Sequence, residues 1–121
     1  APRMTEAPAL GKSGEEAAFA YLKKNKFKII RQGFRCHRGE IDIIAFEKDT
    51  LVFIEVKTRK SLEFGLPEES VTPLKQHQIR KLAEAYLAME RLQDVPCRFD
   101  ILSLFYSAKD GYQVNHLRDA F

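Results

Sequence analysis

Two neighbouring segments constrain this chain more than any other feature. Residues 40–46 (EIDIIAF) and 51–58 (LVFIEVKT) are rich in branched residues, and only the polar run Glu47-Lys48-Asp49-Thr50 separates them. They read as the two strands of a β-hairpin. With the turn centred on Lys48 and Asp49, Glu47 faces Thr50, Phe46 faces Leu51, Asp42 faces Glu55 and Glu40 faces Lys57. Side chains alternate along a strand, so Asp42, Glu55 and Lys57 leave the same face. Ile41, Ile43, Val52, Ile54 and Val56 fill one face, and Ile44, Phe46, Leu51 and Phe53 cover much of the other, as in a central strand pair. Opposed carboxylates repel and are costly in apolar surroundings. Asp42 and Glu55 therefore need a metal, a shared proton or a salt bridge to Lys57. Two oxygen ligands beside an amine favour a hard cation, Mg²⁺ (or Mn²⁺), over zinc. The plain alternative is a structural Asp/Glu–Lys cluster at a strand edge.

The rest of the chain supplies a frame for that hairpin. Its 121 residues are 45% hydrophobic and 31% charged, the balance of one globular domain. No apolar run, residues 51–54 among them, is long enough to span a membrane, and no signal peptide is evident. Cys36 and Cys97 match no zinc or redox spacing and read as reduced thiols of a cytoplasmic protein. Residues 1–10, with Pro2 and Pro8, read as a flexible leader in which Met4 is a candidate start, and 11–121 as the domain. Ser13 and Glu16 form a capping-box pattern, with Glu15 and Glu16 at the positive end of a helix running to about Asn25. Glu15 precedes Ala18 by three residues and Phe19 by four, so it projects from the inward stripe of Ala18, Phe19 and Leu22. Residues 27–34 form a first strand and 59–71 a loop. Thr72 caps a second helix, with Pro73 at its first position, that buries Leu74, Ile79, Leu82, Ala83 and Tyr86 and reaches about Leu92. Strands at 98–105 and 112–117 follow, joined at Asp110-Gly111. The order α-β-β-β-α-β-β describes an α/β domain with helices packed on a central mixed sheet.

The formal charge is only +3, from 20 Lys+Arg against 17 Asp+Glu, so composition alone names no partner. Distribution says more. Between Ala17 and Gly39 there is no acid, while Lys23, Lys24, Lys26, Lys28, Arg31, Arg35 and Arg38 all fall there. Such a stretch is either a footprint for phosphates or an ordinary solvated face. His37, His77 and His116 lack a metal-ligand partner at helical spacing or a clear acid, and read as solvated or structural. Phe19, Tyr21, Tyr86 and Phe99 read as core. No Gly-rich phosphate loop, Gly-x-Ser-x-Gly or Cys/His nucleophile pair occurs.

An acid on one strand followed by Glu-x-Lys on the next is similar to the signature of the PD-(D/E)xK nuclease superfamily. Asp42 stands at its first acid and Glu55-Val56-Lys57 at its (D/E)xK, with Ile41 in place of the nominal proline. Gly14-Glu15, Gly39-Glu40-Ile41-Asp42, residues 53–59, Phe64-Gly65, Arg98-Phe99-Asp100 and Ala120-Phe121 resemble the uncharacterised bacterial YraN-like family, which is similar in fold to Holliday-junction resolvases. The chain departs from the usual pattern at Gly33, where that family commonly has Asn. The resemblance implies a restriction-endonuclease-like sheet and a metal-dependent DNA endonuclease, with branched DNA as a candidate substrate. It implies Mg²⁺ held by Asp42, Glu55 and the Val56 carbonyl, Lys57 orienting water or stabilising charge, and Glu15 assisting the metal. Arg31, Arg35, Arg38, Arg59, Lys60 and Lys75 are candidates to grip DNA phosphates, although Lys75 fits a solvated helix face equally well. Symmetrical cutting would want a homodimer. The competing readings are a nucleic-acid-binding module of the same fold without cleavage, and a structural protein with a chance acid–lysine cluster.

Overall fold

A computed structural model describes residues 10–59 and 71–121 of the chain. Residues 1–9 of the expected leader lie outside the described residues, as do 60–70 of the expected loop, with Lys60, Phe64, Gly65 and Pro67. The elements are α1 (Leu10–Lys24), β1 (Lys28–Cys36), β2 (Gly39–Glu47), β3 (Thr50–Arg59), α2 (Pro73–Met89), β4 (Cys97–Ser107) and β5 (Gly111–Leu117). Their order is the expected α-β-β-β-α-β-β. The five strands form one sheet in chain order, antiparallel throughout except for the parallel β3–β4 pair that α2 connects. A parallel pair needs such a crossover, and burial on both faces suits the near-continuous apolar run of β3, where residues 51–55 are all buried.

Each helix covers one face. Ala18 and Leu22 of α1 pack with Phe27, Ile43, Val52, Ile54, Leu102 and Leu104. Ile79, Leu82, Ala83 and Tyr86 of α2 pack with Phe34, Ile44, Leu51 and Phe53 on the other face. Tyr86 sets its ring edge-on to both Phe34 and Phe53, and Phe99 stacks between Phe53 and Phe121. Of the aromatics expected in the core, Tyr86 is buried and Phe19, Tyr21 and Phe99 are half-buried. No helix among the described residues is long and apolar enough to cross a membrane.

Several boundaries differ from the pattern reading. Helix α1 starts at Leu10, so Ser13 lies inside it and Glu15 and Glu16 fall beyond its first turn. The packed stripe begins at Gly14, which is buried against Thr58, where a Cβ would collide with the threonine hydroxyl. A residue without a side chain is invisible to an apolar pattern, and the helix must already be formed to present it. Leu74, expected in the core, is 68% exposed in the first turn of α2, before the helix settles on the sheet. That helix ends at Met89 rather than near Leu92. Ile41 joins the α2 side rather than the side of Ile43, at the point where β2 loses its pairing with β3. Gly33 has φ +65°, a conformation open to glycine and, among other residues, most readily to asparagine.

Candidate active site

The site forms where the hairpin comes apart. Pairing of β2 with β3 runs from Glu47↔Thr50 through Phe46↔Leu51 to Ile43↔Ile54 and stops. The expected facing of Asp42 with Glu55, and of Glu40 with Lys57, is therefore not ladder pairing. Glu40 instead faces Arg35 across β1, with Oε2 3.2 Å from the arginine Nε. Beyond the last pair the Val56 N–H donates to Asp42 Oδ2 at 2.8 Å, so a carboxylate takes the place of a strand carbonyl. The N–H and C=O of one strand residue leave on the same side. The Val56 carbonyl thus also points toward β2, past the end of the ladder.

Glu55 is only 5% exposed. Its Oε2 lies 2.8 Å from Lys75 Nζ and 3.7 Å from Lys57 Nζ. Thr72 caps α2 by accepting the Lys75 N–H, which fixes the helix turn carrying that lysine. Asp42, Glu55 and Lys75, with Arg38, Glu40 and Gln78, line a cleft of about 340 Å³ between α2 and the start of β2. Burial, and then the neighbouring Glu55 charge, push the Asp42 carboxyl up from 3.8 to about 7, against the opposing pull of the Val56 N–H. Burial, followed by the adjacent Lys75, lowers the Lys57 ammonium, whereas the bond to Glu55 raises that of Lys75. Two carboxylates are thus held together at a cost, and two ammonium groups stand beside them. Such a set binds a proton or a hard cation between the acids and presents positive charge to an incoming anion.

The structure brings together Asp42, Glu55, Val56, Lys57 and Lys75. Glu15 is exposed, not inward, on the helix that packs on the opposite sheet face from α2. Its stripe assignment failed because the true stripe runs through Gly14. Among the described residues no group of three or more His, Cys, Asp or Glu side chains is placed to hold a metal ion. A cation between Asp42 and Glu55 would complete its shell with a backbone carbonyl and water. Arg38 lines the cleft, while Arg35 is exposed and paired with Glu40. Arg31 lays its guanidinium 5.3 Å from the Phe34 ring centre. Arg59 closes β3, half-buried and two residues past Lys57. The acid-free stretch is not one patch. Lys26 and Lys28 line a separate depression with Lys48 at the hairpin-turn end of the sheet, and β1 carries the chain about 26 Å to Arg35 and Cys36.

Lys75 is the residue the sequence left open. A signal was present, since a lysine in the first turn sits at the positive helix end, where only a specific anion makes it favourable. A second network was missed. Asp100 is fully buried, bonded by Arg98 through two contacts of 2.8 and 2.9 Å and by the Asp119 N–H, with His116 Nε2 at 2.7 Å. Arg98 also bonds Glu47, and Tyr21 OH lies 3.0 Å from His116 Nδ1. His116 therefore does have an acid, supplied across the β4–β5 pair. Burial alone would raise Asp100, but the bonds from His116 and Arg98 outweigh it and hold the carboxyl down at about 2. The Arg-x-Asp spacing, which puts both side chains on one strand face, was the available clue. This network ties α1, the hairpin and β5 to β4. Cys36 and Cys97 are free thiols.

Comparison with known proteins adds a family. Residues 14–104 match the model of a family described as "Uncharacterised protein family UPF0102". The chain is 46% identical to a UPF0102 protein of Geotalea daltonii, over 93% of this chain and 88% of the relative. It is 48% identical to one of Caldicellulosiruptor bescii, over 93% and 96% respectively. A third, from Syntrophus aciditrophicus, is 43% identical over 98% and 93%.

Proposed function

The chain belongs to the UPF0102 family, the YraN-like family its motifs resemble, and on that footing we propose that it is a metal-dependent endonuclease acting on DNA. The observation that carries the reading is the meeting of Asp42 and Glu55 at the open end of the hairpin, with Lys57 beside them. Retaining two mutually repelling, largely buried carboxylates is costly, and a divalent cation relieves that cost. The donor set is all oxygen, which fits Mg²⁺ or Mn²⁺. Asp42, Glu55 and the Val56 carbonyl are the groups that would hold it. When bound, the cation supplies an activated water and positive charge to a phosphodiester.

The chain's own groups do the rest. Lys57 holds the attacking water in place and offsets charge growing on the phosphate oxygens. Lys75 and Arg38, at the rim of the same cleft, dock the phosphate. Arg59 extends the cationic rim along β3. Cutting two strands symmetrically would require a second copy of the chain. The two free thiols fit a reducing, cytoplasmic setting.

A second reading is a module that binds nucleic acid without cutting it. The observation favouring it is that Lys75 and Lys57 already neutralise Glu55. Incubation with branched, single-stranded and duplex DNA, with Mg²⁺, with Mn²⁺ and with neither, separates the two. Metal-dependent cleavage that vanishes in Asp42→Ala and Glu55→Ala supports the nuclease. Tight binding with no cleavage of any substrate replaces it with the binding module.

A further inference from the structure

A second cleft, of about 590 Å³, opens directly beside the carboxylate cleft. Arg38, Gly39, Gln78 and Leu82 line both. Gly39 is the seam, since a Cβ there would lie 2.7 Å from Leu82 Cδ1. One wall of the second cleft is the α2 stripe of His77, Lys81 and Ala85, a residue at every turn. The other is the β1–β2 turn, where His37 takes φ +56° and Arg38 follows it.

The two clefts differ in charge. Glu40, Asp42 and Glu55 line the first, whereas among the described residues no carboxylate lines the second. Arg38 and Lys81 give the second cleft a cationic rim, and Lys81 stands 4.0 Å from Glu84 with both side chains exposed. Its floor of Leu82 and Cys36 is apolar, and His37 and His77 contribute flat imidazole rings. Cations for phosphate, planar groups for stacking and an apolar floor together describe a seat for a nucleotide. The bases of a duplex are stacked inside it and reach no pocket of this kind. An unpaired base does.

Building on the nuclease reading, we infer that this cleft seats the unpaired nucleotide adjoining the phosphate held at Asp42 and Glu55. The substrate class is therefore single-stranded or splayed DNA, not continuous duplex. Arg38, common to both clefts, bridges from one phosphate to the next.

The test is fluorescence anisotropy without metal, using a labelled short oligothymidylate and a blunt duplex of equal length. The parent binds oligothymidylate at least about tenfold more tightly than duplex, given the usual worth of stacking one base. The double variant His37→Ala/His77→Ala loses about tenfold for oligothymidylate and keeps its duplex affinity within about twofold. Ala85→Trp, which fills the cleft, does the same, and thermal unfolding checks that both variants remain folded. Unchanged oligothymidylate affinity in both variants, or a parent that prefers duplex, overturns the inference. Since cleavage is not read, a parent that binds single strands in this way yet never cuts would refute the nuclease reading alone. A parent that cuts, with both cleft variants binding oligothymidylate as the parent does, would refute the cleft alone.

Discussion

Asp42 serves two ends that pull against each other. Its Oδ2 accepts the Val56 N–H, which favours the carboxylate, while burial and Glu55 favour the acid and win, leaving the group near 7. A carboxyl raised in the folded state lends stability that is present in full below its ordinary value of about 4 and is lost as pH rises through about 7. Asp42→Asn keeps an oxygen for Val56 and removes the titration. Without metal, the parent should therefore lose up to about 4 kcal/mol relative to Asp42→Asn between pH 4 and pH 8, as followed by thermal unfolding. A difference that stays flat with pH would contradict the assigned environment. Lys57 has another part. As an ammonium it has no lone pair to give a metal, so Lys57→Ala should leave metal and DNA binding nearly unchanged while single-turnover cleavage falls by about two to three orders of magnitude. Cleavage at the parent rate would remove Lys57 from the chemistry. Asp42, Glu55 and Lys57 were legible because strand alternation and an apolar setting make their convergence conspicuous. Lys75 and the Asp100–His116 pair were not, since their partners come from elements distant in the chain.

Elements were legible where burial follows a period and illegible where contact is made by what a residue lacks. All five strands and α2 stand where branched runs and the Thr72-Pro73 cap put them, within a few residues. The start of α1 was misplaced because Gly14 carries the contact with Thr58. Glycine to alanine inside a helix normally gains about 1 kcal/mol. At Gly14 the added methyl meets the hydroxyl, methyl and Cβ of a short, branched side chain that cannot swing aside, and overpacking of that kind costs about 1–3 kcal/mol. Gly14→Ala should therefore lower the denaturant midpoint, and adding Thr58→Ala should restore part of it. A stabilised Gly14→Ala would mean that α1 and β3 do not meet at Gly14 and Thr58. The ladder ending at Ile43↔Ile54 was equally hidden, since no residue type announces where two strands diverge.

At the scale of the whole molecule, topology divides what the chain keeps together. The acid-free stretch places Lys26 and Lys28 at the hairpin-turn end and Arg35 and Arg38 at the end that holds the cleft. On a single strand each phosphate contact contributes about 0.7 of a unit of slope in the logarithm of affinity against the logarithm of salt. The triple variant Arg31→Ala/Arg35→Ala/Arg38→Ala should flatten that slope by about 2, whereas Lys26→Ala/Lys28→Ala should leave it unchanged. Equal flattening in both would mean that DNA lies along β1 and not across the cleft. All of this depends on the two carboxylates being a cation site. Calorimetric titration of the metal-free protein with Mn²⁺ tests that most directly. One site is expected in the parent and none in Asp42→Ala or in Glu55→Ala, both still folded by circular dichroism. Mn²⁺ binding that is undiminished in both variants would contradict it.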